Sequence, residues 1–355
     1  MSCGALPKWQ PCRAAHRRSA ACSQFRFPGD VRGIASMKFE RVDPVAAAEE
    51  ASFVLREAWP PPTLHYTAGY LRWQFGFPGP SPQAVLARKG GEPAGFIGVA
   101  PRRFRFRGAT SEGYVLSFVS VRPKFQGQGL ASRLYTELLA GLRTTRLPIA
   151  VFVEARSAPA QRVLFKAVAA VGLELKQLTT CRNHGFLPRA SAAPPRAVAA
   201  PASAVQDVLA VMAACSGERV LWSAPDAAHL EHALRDPRPR RLLLVEEAGQ
   251  AVGAAVVFLS EIATARGIDR VATLGALFLP EPTADRLAAV MRAASEAFGG
   301  KTTAPTVSAP NLAIVPQDQL RPAGVRATAA TFDAFVIHPK GGPWLDAETT
   351  NLEVV

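Results

Sequence analysis

The chain has 355 residues, 48% of them hydrophobic and 19% charged, so it can bury real cores and is no disordered chain. At this length two domains of about 150 residues each are expected, and no apolar run reaches the roughly 18–20 residues of a spanning helix, which argues against membrane insertion. The net charge of +13 is unevenly placed: residues 1–36 hold +5, residues 84–196 hold +13, and the remainder is negative. A basic middle segment points to an anionic partner (nucleic acid, a membrane surface or a phosphorylated small molecule) without choosing among them. Five cysteines include no C-x-x-C pair, and three of them (Cys3, Cys12, Cys22) fall in the first 22 residues. That pattern argues against a disulfide framework or a thiolate zinc site, so no metal is expected, and a reducing cytoplasm is the expected compartment.

Residues 1–36 are Arg-rich and without periodicity, and read as a disordered extension or an over-long start with Met37 as the true beginning, against the alternative of an organelle targeting segment. Lys38 to Val42 reads as a first strand. Asp43-Pro44 suggests an N-cap and first-turn proline for an amphipathic helix through about Trp59, which Pro60-Pro61-Pro62 stops. A shorter aromatic helix comes next, around Tyr66 to Phe75. Residues 84–89 and 94–100 read as strands joined across Gly90-Gly91, and Arg103, Phe104, Arg105, Phe106, Arg107 alternate with a period of two. Residues 114–121 form a further strand. Leu130, Leu134, Leu138 and Leu142 then mark a helix, succeeded by a strand from Pro148 to Glu154 and a helix from Ala158 to Val171.

Residues 187–202 are Pro/Ala-rich and read as a linker. Beyond the linker the chain repeats its first half. Tyr70-Leu71-Arg72-Trp73 is echoed by His229-Leu230-Glu231-His232, the hairpin from Val85 by the one from Leu242, and Pro123 by Pro280, at offsets of 157 to 159. Near-constant offsets indicate two copies of one α/β fold, at 37–186 and 203–338, with 339–355 as a C-terminal tail.

The sharpest chemical signal is Val121-Arg122-Pro123-Lys124-Phe125-Gln126-Gly127-Gln128-Gly129-Leu130-Ala131. A strand enters a turn with two glycines, and the turn opens directly into a helix. Glycines admit close approach to the backbone, and the first N–H groups of a helix lack internal partners, so the segment is suited to a diphosphate. Neither a Walker loop nor G-x-G-x-x-G is present.

This segment resembles motif A of the GNAT N-acetyltransferase superfamily, Q/R-x-x-G-x-G/A, through Gln126, Gly129 and Ala131, and the order β-α-α-β-β-β-α-β-α extends the resemblance over residues 37–186. The resemblance implies two tandem GNAT-like domains, each a central mixed, mostly antiparallel sheet flanked by helices. It further implies an acyltransferase of the EC 2.3.1 class using acetyl-CoA or another acyl-CoA as co-substrate and a small-molecule or peptide amine as acceptor. On this reading Gln126, Gly127, Gln128, Gly129, Leu130 and Ala131 hold the pyrophosphate, and Phe118, Val119, Ser120 and Val121 pair with the pantetheine. Arg122, Lys124 and Arg133 are candidates for the phosphates, against the plainer reading of solvated surface charges.

Direct acyl transfer needs a proton acceptor for the amine, donors for the oxyanion and a proton for the thiolate. In the family the acid is commonly a Tyr, and Phe165 stands in its place; it can pack on pantetheine but cannot donate a proton. Glu112, Glu154 and Tyr114 are the remaining catalytic candidates, each with an ordinary surface or core role as the alternative. Trp59, His65, Tyr66, Tyr70 and Trp73 lie where the acceptor wall is expected. The second copy lacks the motif: Pro280, Glu281, Pro282 and Asp285 stand where phosphate would sit, so a scaffolding or acceptor-side role is expected for it. A non-catalytic CoA-binding protein is the alternative reading. Nucleic acid is a weaker one, because no recognised motif accompanies the basic segment.

Overall fold

The computed structural model describes residues 37–186, 196–200, 204–215, 217–302 and 306–352. The expected 1–36 extension and most of the expected linker lie outside them. The first half runs β1 (Met37–Val42), α1 (Ala48–Ala58), β2 (Thr63–Leu64), α2 (Ala68–Phe75), β3 (Gln83–Lys89), β4 (Glu92–Phe106), β5 (Ala109–Val121), α3 (Leu130–Leu142), β6 (Ile149–Glu154), α4 (Ala158–Ala170) and β7 (Glu174–Phe186). The second half runs β8 (Arg196–Ala199), α5 (Val205–Ala214), β9 (Val220–Ser223), α6 (Ala227–Leu234), β10 (Arg240–Glu247), β11 (Gln250–Thr264), β12 (Gly267–Phe278), α7 (Ala284–Glu296), β13 (Val307–Ala309), α8 (Gln317–Leu320) and β14 (Val325–His338), before a final β15 (Thr349–Asn351). Element for element, the two successions match.

Local chemistry accounts for the boundaries. Along α3 the four leucines at intervals of four are each at most 2% exposed, and burying each contributes about 2 kcal/mol. The helix expected from Asp43 begins only at Ala48. The Asp43 carboxylate accepts from Val45 N at 2.8 Å and its carbonyl from Ala47 N at 2.9 Å, which stabilises a turn over 44–47 instead. Thr67 caps α2 by accepting from Tyr70 N at 3.1 Å. The Arg/Phe alternation belongs to β4, whose Phe104 and Phe106 are buried while Arg103 and Arg105 reach the surface side.

The strands form one sheet in the order β1-β3-β4-β5-β6-β14-β7-β13-β12-β11-β10-β8. Read from either end, the succession of equivalent strands is the same, so a pseudo-twofold axis passes between β14 and β7. The last strands are exchanged: β14 pairs with β6 of the first half, and β7 with β13 of the second. β14 can do this because both its faces are apolar: Phe335 and Ile337 enter the first half's α3 core, while Ala334 and Val336 enter the core between the halves. Smaller reciprocal contacts repeat the symmetry. β2 pairs with β11 and β9 with β4. Trp73 and His232, equivalent by the repeat, exchange hydrogen bonds at 3.0 and 2.9 Å through Nε1 and Nε2 to each other's carbonyls. Buried Asp236 binds Arg238 and Arg240, whose guanidiniums lie 4.2 Å over Tyr70 and 4.5 Å over Trp73.

Two expected boundaries look different in space. Residues 196–199, inside the expected linker, are edge strand β8, paired with β10 from Leu243 to Glu246. The expected tail is packed: Trp344, Ala347, Thr350 and Leu352 are buried, and β15 pairs with β9. A Pro/Ala composition signals a break in helix, yet short Arg-Ala-Val-Ala still supplies an edge ladder.

Candidate functional site

β5 and β6 lie parallel and pair only from Tyr114 to Leu116, opposite Ile149 to Val151. β6 continues to Glu154 against β14, and β5 to Val121 against β4, so the facing edges of Ser117–Val121 and Phe152–Glu154 open into a wedge. A bulge causes the divergence. Phe118 has φ 67°, and the register against β4 shifts between Phe96 and Gly98. Opposite the bulge, a Cβ on Gly98 would stand 2.8 Å from the Phe75 ring, so a glycine is required there. Phe118 is held by rings on the first helix pair and its loop, 5.4 Å from Phe75 and 6.1 Å from Tyr66.

At the open end of the wedge the chain turns through Pro123–Phe125, and Phe125 is buried beneath the turn. Gln126 folds back so that its Nε2 donates to Val121 O at 3.0 Å. Gly127 and Gly129 take φ 78° and 76°, the left-handed region that a side chain disfavours. Gly129 is the N-cap of α3 and offers no side-chain acceptor, and the first turn of α3 holds no acid. Among the described residues, the N–H groups from Gly127 to Ser132 carry no hydrogen bond. Open amides at the positive end of a 13-residue helix are suited to an anion. The expected loop residues, Gln126 to Ala131, are thus brought together with Phe118–Val121.

The candidate basic and catalytic residues are placed less uniformly. Arg122 is buried, donating to Glu92 Oε1 at 2.6 Å and Pro93 O at 2.8 Å, with its guanidinium 4.4 Å over Phe53. Lys124 binds Glu92 at 2.6 Å and Arg133 binds Glu137 at 2.8 Å. These cations are engaged with surface carboxylates. Tyr114 is buried and donates to Ser81 O at 3.1 Å; burial, with Glu112 nearby, pushes its phenol above the usual range. Glu112 is exposed and pairs across the ladder with Arg103, about 20 Å along the strand from Phe118 at some 3.3 Å per residue. Glu154 is exposed at the open end of the wedge, beside Phe332. Phe165, 43% exposed, meets Phe335 edge-on at 5.6 Å. Tyr135 is buried core.

Trp59 and His65 lie in the expected acceptor wall, but two of their contacts escape sequence reasoning. Trp59, beyond the end of α1, donates to Ser120 Oγ at 2.8 Å and so folds the 59–67 loop over β5. In the same loop His65 donates its backbone N–H to Glu261 O at 2.8 Å, and its Nδ1 lies 3.6 Å from the Glu261 carboxylate. Glu261 comes from β11, and only the cross-half pairing of β2 brings it here.

The second half keeps the wedge but closes it. β12 pairs with β13 only at Ala272 and Thr273, and its register against β11 also shifts. Asn351 donates to Leu277 O at 2.8 Å, and Asn311 donates to Thr350 O and Leu352 O, so the chain's own residues 350–352 lie against this strand end. At the start of α7, Gln319 Oε1 accepts from Ala284 N at 2.9 Å and Thr283 Oγ1 from Arg286 N at 3.3 Å. Two amides at the start of α7, those of Ala284 and Arg286, thus have side-chain acceptors, which α3 lacks.

Comparison with known proteins agrees with this geometry. Residues 45–166 match the acetyltransferase (GNAT) family model. Saccharomyces cerevisiae N-myristoyltransferase with bound myristoyl-CoA is similar in structure at TM-score 0.62 and 12% identity, over 90% of this chain and 85% of that one. A Pyrococcus horikoshii protein proposed to be an acetyltransferase matches at TM-score 0.57 and 13% identity, over 94% and 96%. A GCN5-related N-acetyltransferase from Kribbella flavida matches at TM-score 0.50 and 15% identity, over 86% and 71%. No curated protein matches by sequence. At these identities the structures speak for the fold, two GNAT-like halves around a mixed sheet. Residues 45–166 thus form an acetyltransferase (GNAT)-like domain, which supports an enzyme of the acyltransferase class. No helix among the described residues is long and apolar enough to cross a membrane.

Proposed function

We propose that the first half transfers an acyl group from acyl-CoA directly to an amine. The observation that carries this reading is the run of open amides from Gly127 to Ser132 in line with the unpaired edge of β5. A pyrophosphate on those amides directs the pantetheine along Ser117–Val121, whose backbone can pair with its amide groups, while Phe165 offers an apolar side wall. The thioester then lies toward the Phe118 bulge, and the amine approaches from the 59–67 loop. His65 and Glu261 are the titratable groups this loop brings over β5. They are better placed to take the amine proton than Glu112, far along the strand, or Tyr114, whose hydroxyl is engaged with Ser81. Glu154, at the wedge mouth, serves as a polar flank. Acetyl-CoA is the expected donor. The structural likeness to a myristoyl-CoA enzyme makes chain length the first variable to measure, and a small-molecule or peptide amine the acceptor to seek. Binding of one CoA per chain, in a reducing cytoplasm, completes the reading; the buried free thiols Cys181 and Cys215 favour that compartment.

The test is CoA-thiol release from acetyl-, octanoyl- and myristoyl-CoA against an amine and peptide library, with calorimetry for CoA in parallel. Turnover that falls in Glu261→Gln and His65→Ala but persists in Glu112→Gln supports the assignment. CoA binding with no turnover on any amine favours the non-catalytic alternative.

A further inference from the structure

The second half holds a cleft that the acyl-transfer reading does not use. Its volume is about 330 Å³, within the range of small-molecule pockets. Its walls come from the end of α5, from β9, from the end of β12 and from the β4–β5 hairpin of the first half: Met212, Trp222 and Phe278 are its apolar residues, Arg103 and Arg105 its cations. By the repeat, this is the second half's counterpart of the acceptor-side face of the first. Arg105 donates to Ala213 O at 3.1 Å and has no carboxylate partner among the described residues.

Against this cleft lies a small chamber of about 30 Å³, sharing Arg103, Ser223, Pro225 and Phe278 as walls. It has room for one water-sized group. His229, 6% exposed, lines it. The ring's Nδ1 lies 2.8 Å from Asp226 Oδ1, while its buried Nε2 has no hydrogen-bond partner among the described residues. Asp226, bound also by Arg103, can only accept, so Nδ1 donates, and in the neutral ring Nε2 keeps its lone pair for a donor. A buried, oriented acceptor left without a donor is uncommon in a folded protein.

We propose that this cleft is a binding site for a small amphipathic carboxylate whose anion rests on Arg105, whose apolar body lies against Trp222, Met212 and Phe278, and whose hydroxyl or amine donates to His229 Nε2. An uncompensated guanidinium selects the anion, and the three apolar side chains set the shape of the body attached to it. The site is distinct from the CoA loop, because none of Gln126–Ala131 lines the cleft.

The test uses the full chain without CoA, titrated calorimetrically with 3-(4-hydroxyphenyl)propionate and with 3-phenylpropionate, which lacks the hydroxyl. The hydroxylated probe is expected to bind with a Kd of about 1 mM or tighter, and the other about threefold to tenfold more weakly. Arg105→Gln weakens both at least about tenfold, Ala213→Trp, which fills the cleft from its exposed wall, abolishes both, and His229→Gln erases the difference between the probes. Gly129→Glu leaves all of these affinities unchanged, so the result stands apart from that of the acyl-CoA site. Absence of heat with either probe overturns the proposal, as does binding that survives both Arg105→Gln and Ala213→Trp.

Discussion

The two ends of the pseudo-symmetric sheet make an internal control. Both halves have a bulged strand diverging from its parallel neighbour and a helix starting just beyond. In the first, Gly129 caps α3 without a side chain and the amides behind it are open. In the second, Gln319 and Thr283 accept from the amides of Ala284 and Arg286, Asn351 donates to Leu277 O, and Arg286 is clamped to Glu247 at 2.7 Å. The difference teaches that the fold supplies the helix dipole and the wedge in both places. An anion site at a helix start needs amides for which the chain has not supplied its own acceptors.

The largest effect that would break this comparison is expected from Gly129→Glu. A side chain at φ 76° strains the turn, and its carboxylate takes the place of phosphate. CoA affinity in calorimetry should fall at least about 100-fold, more than the roughly 1–2 kcal/mol of backbone strain explains. Gly129→Ala separates strain from charge. An undiminished affinity in a folded Gly129→Glu protein would remove the basis of the site.

Asn351→Ala asks whether the second wedge is closed by polar matching. It leaves the buried Leu277 carbonyl unpaired and should cost about 1–3 kcal/mol in denaturant unfolding. The CoA stoichiometry should stay at one, because Pro280 and Pro282 still lack donors and Glu281 still repels phosphate. A second equivalent of CoA in this variant would show the two ends to be less different than their amides suggest.

Thr283→Ala should cost about 1 kcal/mol through loss of the α7 cap, with CoA affinity unchanged. α3 has no side-chain cap to lose, so the same replacement has no counterpart there. Phe165→Tyr is expected to keep or raise the acylation rate, since the exposed ring edge tolerates a hydroxyl; complete loss of activity in a folded protein would mean Phe165 is packing that the reaction depends on.

The smallest effect concerns acid. Burial opposes ionisation of Asp226, but its hydrogen bonds from His229 and Arg103 outweigh that and hold the carboxyl at about 2, against an ordinary 3.8. A depressed carboxylate stabilises the fold fully above its unfolded value, and that stabilisation drains away as pH falls from about 4 through 2. Asp226→Asn should therefore flatten the stability profile in that window and leave it unchanged in shape above pH 5. A wild-type profile already flat between pH 4 and 2 would argue against the ion pair.

Much of the fold and of the glycine loop was legible in the residues. The leucine spacing of α3, the hairpin at Gly90-Gly91 and the glycine loop are local patterns whose physics is complete within a dozen residues. The repeat offsets announced two copies because equivalent cores require equivalent spacing. Three features were not legible. The β7/β14 exchange leaves no mark on strand periodicity, since a central strand reads the same in either sheet. Arg122 looked available to phosphate, and only the fold brings Glu92 and Pro93 to its guanidinium. The segment near Asn351 read as a tail because its partners, Leu277 and Asn311, are distant in sequence.

By itself, then, the sequence determined the class: element order, the glycine loop, its absence from the second copy, and the family resemblance these carry. Short-range hydrogen bonding, side-chain periodicity and glycine stereochemistry suffice for that. The tertiary structure decided which groups meet. It placed Glu261 against His65, let α7 and β15 close the second wedge, and left Arg105 and His229 facing enclosed space. Such pairings depend on long-range strand register and on the symmetry axis between the halves, and no window along the chain encodes either.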